Sequence, residues 1–236
     1  MRGLVVYVGV LGFFLVAGGS PWARAWGMRQ RWLRPLVAAL AVVCAVALVV
    51  SGLQQPGVEW WPALLAVGCG WVVGPLAGRV LSVQKAANIP VHWAAQRHAG
   101  LGGLSFGEAC RVLVVLVAWN PAGWLAGWNS GLADDLRCVA WKSVLDGVTL
   151  MTLTTWRPGC AVVAALAGAG VQGLAAGAGV LARPWMEKHG MVGPALVASG
   201  LVWLTLPLLV LGIRRVPLFA LVLAVPASAL FAAWFR

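Results

Sequence analysis

The segment 35–53 reads PLVAALAVVCAVALVVSGL, and none of its nineteen residues carries a charge. A helix that crosses a bilayer needs about 20 mostly apolar residues, with a range of about 17–25. The segment meets that requirement in both length and composition. It therefore predicts a membrane-spanning helix.

Similar apolar stretches recur along the whole chain. They predict an all-α polytopic transmembrane bundle of about eight spans, with seven as the alternative count. If the first and fifth spans run in the same direction, the count also permits a parallel four-plus-four repeat. The alternative for the first stretch is a cleaved signal peptide, because Ala23-Arg24-Ala25 resembles a cleavage site. The predicted spans are 3–19, 35–53, 60–78, 105–121, 138–156, 159–182, 191–212 and 216–235.

The composition excludes several classes of protein. Hydrophobic residues make up 61% of the 236 residues and charged residues 10%, whereas soluble domains average about 45–50% and about 25%. A soluble enzyme, a disordered chain and a nucleic-acid module are therefore not expected. The net charge of +11 comes from basic residues between the apolar stretches, which is typical of the positive-inside rule. The expected partner is the lipid bilayer, with no nucleic acid, and a homo-oligomer is left open.

The distribution of basic residues predicts the orientation of the chain. A single membrane domain covers residues 1–236, and both termini are extracytoplasmic in this prediction. The segment 79–104 is predicted as a cytoplasmic loop or a short surface helix, because Pro90 and several glycines interrupt it. The expected location is the bacterial inner membrane. The residues assigned to the cytoplasmic side are Arg24, Arg29, Arg31, Arg34, Arg79, Lys85, Arg97, Arg111, Arg157, Arg214 and Arg215.

The fifth predicted span carries a pair of opposite charges. Lys142 and Asp146 are four residues apart, so they lie about 40° apart on one helix face. Asp135 lies on the same face if the helix extends that far. A charge at the bilayer centre costs about 2.5–3.5 kcal/mol, so this face points into the bundle or a wet cavity. The pair is either a site for an ion, a proton or a solute, or an intrahelical ion pair with a structural role.

The segment 119–135 precedes that span and is apolar but interrupted by Pro121 and glycines. One interpretation is a re-entrant or broken helix in which Asn129 contacts a substrate, because irregular backbone at membrane depth lines cavities. The alternative is an extracytoplasmic loop in which Asp134 or Asp135 caps the next helix. The sequence leaves both open.

The other polar residues give weaker indications of a functional site. Gln172 is the only amide in the sixth predicted span and is surrounded by glycines, which favours close helix packing. It could still form a hydrogen bond with the fifth span. The five cysteines and three histidines lack the spacing of a zinc site, so no metal and no cofactor are expected.

The motif Asn129-x-Gly131-Leu132-x-x-Asp135, followed by Lys142-Ser143-Val144-Leu145-Asp146, resembles the YqgA/YdfK-like family of uncharacterised bacterial inner-membrane proteins. The similarity runs without a gap from Gly123 to Asp146, and it covers 105–236 better than 1–85. Ser130 departs from the family pattern, where an acid stands, and so does Asp134, where a glycine stands. The resemblance implies that Asn129, Gly131, Asp135, Lys142 and Asp146 carry the family's site.

The sequence is consistent with two functions. The first is a small-solute or ion transporter or channel built on the Lys142–Asp146 pair. The second is a membrane scaffold or assembly partner in which the polar residues hold helices together. An enzyme is not expected, because HExxH does not occur and no paired catalytic aspartates lie on neighbouring spans. The candidate binding residues are Asp146, Lys142, Asn129, Asp135, Gly131, Ser143, Gln172 and Asn120.

Overall fold

A computed structural model describes residues 2–18, 30–55, 60–98, 103–154, 158–213 and 216–235. The regular elements in these ranges are helices and none is a strand, which confirms the all-α prediction. In chain order they are α1 (Arg2–Gly18), α2 (Gln30–Leu53), α3 (Trp60–Val80), α4 (Val83–His98), α5 (Phe106–Ala118), α6 (Pro121–Ala133), α7 (Arg137–Thr154), α8 (Pro158–Lys188), α9 (Val192–Leu204), α10 (Leu206–Val210), α11 (Leu218–Val222) and α12 (Ala224–Trp234).

Fewer of these helices are suited to cross a membrane than the eight spans predicted. By length and composition, three stretches of the described chain qualify: Trp61–Val80, Pro158–Lys188 and Val192–Val210. A fourth is added if α5 and α6, which meet at a bend of 52°, count as one span. The described part of the chain therefore has three or four candidate spans, fewer than the eight predicted.

Two features of the described helices explain the difference. The predicted span 138–156 corresponds to α7, which contains three charged residues, and 216–235 is broken into α11 and α12. Within the first two predicted spans, the apolar stretches whose side chains are described run from Val5 to Phe14 and from Ala38 to Leu53, and they are not counted among the three.

The break between α5 and α6 follows from local sequence. Asn120 accepts a hydrogen bond at its side-chain Oδ1 from the backbone N–H of Ala122, at 3.0 Å, and so caps α6. Pro121 occupies the first turn, where its missing N–H costs nothing. The same residues therefore end one helix and start the next. The segment 119–135, for which a loop was one interpretation, is mostly helical, and 79–104 contains α4.

The described residues fall into two compact units that alternate along the chain. The first unit comprises the described residues of 1–33, 88–130 and 134–177, and the second those of 34–87, 131–133 and 178–236. Neither unit is one half of the sequence. The four-plus-four repeat stays a prediction. Most of the basic residues that support the orientation, such as Arg24, Arg157 and Arg214, lie outside the residues whose side chains are described.

In the second unit, small residues on two helices allow close packing. Gly70, Gly74 and Gly78 form one face of α3, since they are spaced four residues apart. A Cβ built on Gly70 would lie 2.7 Å from the Cα of Ser228, and one on Gly74 would lie 2.6 Å from the Cα of Ala224. These contacts involve backbone atoms, which cannot move aside as a side chain can. The absence of side chains along this face of α3 therefore sets its distance from α12.

This packing predicts that Gly70→Ala destabilises the protein by about 1–3 kcal/mol, because the added methyl group collides with the backbone of α12. Gly68→Ala on the same helix is the matched control. A Cβ there meets nothing within 4 Å, so unfolding should be unchanged or slightly harder. Thermal unfolding of both variants in detergent checks this, and equal melting temperatures would contradict it.

Candidate functional site

The centre of the first unit is an ion pair within α7. The ammonium group of Lys142 contacts the Oδ1 of Asp146, one helical turn later. Lys142 is 0% exposed and Asp146 is 4% exposed. Burial of an unpaired charge is costly, so each of these two groups depends on the other. The structure thus brings together the two residues that the sequence singled out first.

Tyr7 joins this pair from α1. Its hydroxyl donates a hydrogen bond to Oδ2 of Asp146 at 2.6 Å, and its side chain is fully buried. A second contact nearby places the ring of Phe14 against Gly147, where a Cβ would lie 2.7 Å from Cγ of Phe14. Sequence reasoning did not select Tyr7 as a site residue. The available signal was that it is the only tyrosine of the chain, inside an apolar helix.

Two glycines of α6 bring that helix close to α8 and to Lys142. A Cβ built on Gly123 would lie 3.1 Å from Nε2 of Gln172 and 3.2 Å from Cε of Lys142. A Cβ on Gly127 would lie 2.7 Å from the backbone oxygen of Gln172. The Gln172 amide and the Lys142 ammonium group therefore approach the same point of α6. Larger residues at these two positions would separate the helices.

The hydrogen-bonding capacity of this cluster is not fully used. Gln172 is 4% exposed, and its Oε1 has no hydrogen-bond partner in the described chain. Lys142 has three ammonium N–H groups, and Asp146 is its only acceptor among the described residues. An unsatisfied buried polar atom costs about 1–3 kcal/mol. A polar solute or a buried water that bonds to these atoms would remove that cost.

Asn129 belongs to a different face of α6. It lies two residues after Gly127, about 200° around the helix, and so points away from the glycine face. Its side chain is fully buried, and neither its Nδ2 nor its Oδ1 has a partner in the described ranges. The Nε1 of Trp128 beside it is also buried and unpaired there. Asn129 is thus a second unsatisfied polar group, on the face opposite the one that approaches Gln172.

The remaining candidates have local partners. Asp135 precedes α7 and binds Arg137, whose backbone N–H and guanidinium donate to it at 2.9 and 2.8 Å. It therefore accepts the first backbone N–H of α7 and pairs with Arg137, while Lys142 pairs with Asp146. Ser143 donates its hydroxyl to the carbonyl of Val139 in its own helix, at 2.5 Å. Asn120 caps α6 as described above, and Gly131 is buried on the face of α6 that Gly123 and Gly127 share.

Taken together, Lys142, Asp146, Tyr7 and Gln172 form a buried polar cluster with one positive and one negative charge. Within the part of the chain that the structure describes, no group of three or more potential metal-ligating side chains is close enough to hold an ion. The cluster supplies an ammonium donor, a carboxylate acceptor and an amide. Such groups bind and release a polar solute or ion without any covalent step.

The comparisons with known proteins give one match. Residues 23–233 match the family described as "Protein of unknown function (DUF554)". The matched range includes Lys142, Asp146 and Gln172 and leaves out α1 with Tyr7. No curated protein and no solved structure matches the chain.

The burial of the pair predicts that Asp146→Asn destabilises the protein by about 3–5 kcal/mol, since it leaves the Lys142 charge without a counter-ion. The matched control is Glu187→Gln, which breaks another ion pair of the same spacing. Arg183 and Glu187 are 2.7 Å apart but about half exposed, so that change should cost at most about 0.5 kcal/mol. Denaturant or thermal unfolding of both variants checks this. A similar effect of the two changes would show that burial does not strengthen the Lys142–Asp146 interaction.

Proposed function

We propose that this chain, which belongs to the DUF554 family of proteins of unknown function, is an integral membrane protein that moves a small solute or ion past the Lys142–Asp146 pair. The observation that carries the proposal is that this pair is buried and that the Gln172 side chain, whose Oε1 has no described partner, approaches the same glycine face of α6 as Lys142. In this proposal the protein is not an enzyme, and a bound ion or solute is its ligand. The likeness to the YqgA/YdfK-like proteins, the bacterial inner membrane and the assembly into homo-oligomers belong to the same proposal.

The energetic argument begins with the cost of the pair. Two charges inside a membrane protein lose their hydration, and hydrophobic residues of similar volume are often as stable or more stable in such a place. Stability alone therefore does not explain why α7 carries both Lys142 and Asp146. In this proposal α7 lies at membrane depth, where ionisable groups commonly mark the path of an ion or a substrate. The unused hydrogen-bonding capacity of Gln172 and Lys142 supports a ligand at this point.

A scaffold is the second candidate, and a specific contact favours it. Tyr7 and Asp146 link α1 to α7 by a buried hydrogen bond, and glycine faces bring other helices into close contact. Such contacts hold a bundle together without moving anything. In that case the polar cluster stabilises the fold, and the function resides in a surface that binds a partner protein.

The double variant Lys142→Met with Asp146→Leu separates the two functions. It removes both charges together, so it avoids the cost of one unpaired charge and should fold. If the protein is a transporter, ligand-dependent stabilisation is lost in this variant. A ligand that binds only the folded state stabilises the wild type by about 2.7 kcal/mol at a hundred times its dissociation constant. Thermal unfolding across ions, organic acids and amino acids measures this.

The control for that experiment is Arg183→Met with Glu187→Leu, which removes the exposed pair on α8. This variant should keep every ligand-dependent shift of the wild type. If no ion or solute shifts the wild type, or if the double variant of α7 keeps the shift, transport through this pair is wrong. Retention of a protein partner by that double variant would then favour the scaffold.

The orientation is tested by reporter fusions. The basic residues around the first connection predict that it is cytoplasmic and that α2 therefore ends outside. Alkaline phosphatase, which is active only outside the cytoplasm, should be active when fused after Gln55. A fusion after Arg29 should be inactive and serves as the control. An inactive fusion after Gln55 would contradict the proposed orientation and the extracytoplasmic position of both termini.

A further inference from the structure

We infer that the turn between α3 and α4 binds an anionic phospholipid. Arg79 and Lys85 hold the headgroup phosphate, and the acyl chains lie along the exposed face of α3. The basic turn is the segment 79–85, which joins the two helices. The inference rests on the part of the proposed function that places the chain in a membrane, and it does not depend on transport.

The first argument places Arg79 at the level of the lipid headgroups. The stretch Trp61–Val80 of α3 is one of those that qualify as a membrane span. Trp61 and Arg79 are both exposed. They are eighteen residues apart, which is five full turns, so they lie on one face of the helix about 27 Å apart. The hydrocarbon core of a bilayer is about 30 Å thick. Because tryptophan favours the interface and long basic side chains extend towards it, this face fits one bilayer with Trp61 and Arg79 at its two boundaries.

The second argument is the apolar surface beside the two cations. Leu76, Val80 and Leu81 are 51%, 84% and 69% exposed. Further along α3, Gly68 lines an apolar groove of about 720 Å³. Gly68 lies on the same face as Arg79 and about 16 Å from it along the helix, so an acyl chain that starts at the headgroup level reaches the groove near the middle of the bilayer. A soluble phosphate compound would leave these apolar side chains uncovered, whereas a phospholipid covers them.

The third argument is charge. Arg79 and Lys85 are exposed, and neither forms an ion pair with another of the described residues. By contrast, Arg137 and Arg183 each pair with a carboxylate. The segment 60–107 contains no acidic residue, so the basic turn has no counter-ion from its own part of the sequence. An anionic headgroup supplies that charge, and a guanidinium group can bind two phosphate oxygens at once.

The fourth argument is that one contact fixes the backbone at both cations. A Cβ built on Gly78 would lie 3.0 Å from the Cα of Ala220 in α11, and the backbone N–H of Ala220 donates to Oε1 of Gln84 at 3.3 Å. Arg79 follows Gly78 in the chain. In the same way, Lys85 follows Gln84. The end of α3 and the start of α4 are therefore held by the same residue before a lipid binds, which lowers the cost of ordering the site.

The experiment compares two lipids with the same acyl chains and different headgroup charges. Phosphatidylglycerol or phosphatidylcholine is titrated into the wild-type protein in detergent, and native mass spectrometry measures the affinity of the first bound lipid. Phosphatidylglycerol should bind more tightly, and glycerol phosphate, which lacks acyl chains, should not displace it. Arg79→Gln with Lys85→Gln should weaken phosphatidylglycerol binding about thirtyfold. Each single change should weaken it about fivefold, which preserves the test if the double variant does not fold.

The matched control is Arg183→Gln with Lys188→Gln, which removes two exposed cations from the end of α8. It should keep the wild-type preference for phosphatidylglycerol. If phosphatidylcholine binds as tightly as phosphatidylglycerol, or if the control variant loses as much affinity as the variant of the basic turn, the basic turn is not the site. If glycerol phosphate displaces the lipid, the site binds a soluble phosphate and the inference is wrong.

The result is separate from the test of transport. Lys142→Met with Asp146→Leu should keep the preference for phosphatidylglycerol, because both changed residues lie in the first unit and the basic turn contacts α11 in the second. Loss of the preference in that variant would contradict the assignment to the basic turn. If the chain inserts into vesicles of neither lipid, the membrane part of the proposed function is wrong, and this inference fails with it.

Discussion

The structure of the first unit depends on the buried ion pair between Lys142 and Asp146. The two side chains are one turn apart on α7, so the helix itself fixes their distance. Asp146 has a second donor in Tyr7, so the same carboxylate also fixes α1 against α7. The carboxylate of Asp146 therefore takes part in two interactions: the ion pair within α7 and the hydrogen bond between α1 and α7. Because both charges are buried, neither residue can be replaced alone without exposing the other to an apolar environment.

Close approach of backbones is the second constraint, and glycine provides it in both units. In the first unit, Gly123 and Gly127 allow Gln172 and Lys142 to approach the backbone of α6 closely. In the second unit, Gly70 and Gly74 allow the backbone of α12 to approach α3 closely. Helices in a membrane gain little from hydrophobic burial, since lipid is as apolar as their side chains. They associate through van der Waals packing, which such short distances improve.

The sequence predicted the parts of this structure that depend on local spacing. Lys142 and Asp146 share a helix face because they are four residues apart. The start of α6 at Asn120-Pro121 was not predicted, because the span 105–121 was expected to run through it. In the described part of the chain, fewer stretches qualify as spans than were predicted, because 216–235 is divided into α11 and α12 and α7 carries three charged residues. The contact of Tyr7 with Asp146 joins residues 139 positions apart. No local pattern reports such a contact, so the site was predicted without one of its members.

The arrangement of donors around Asp146 explains how the cluster could accept a ligand without losing the fold. Lys142 reaches Asp146 from the same helix, whereas Tyr7 reaches it from α1. If a ligand separates Lys142 from Asp146, the hydrogen bond from Tyr7 still holds α1 to α7. The ion pair within α7 would therefore break, whereas the hydrogen bond between α1 and α7 would remain.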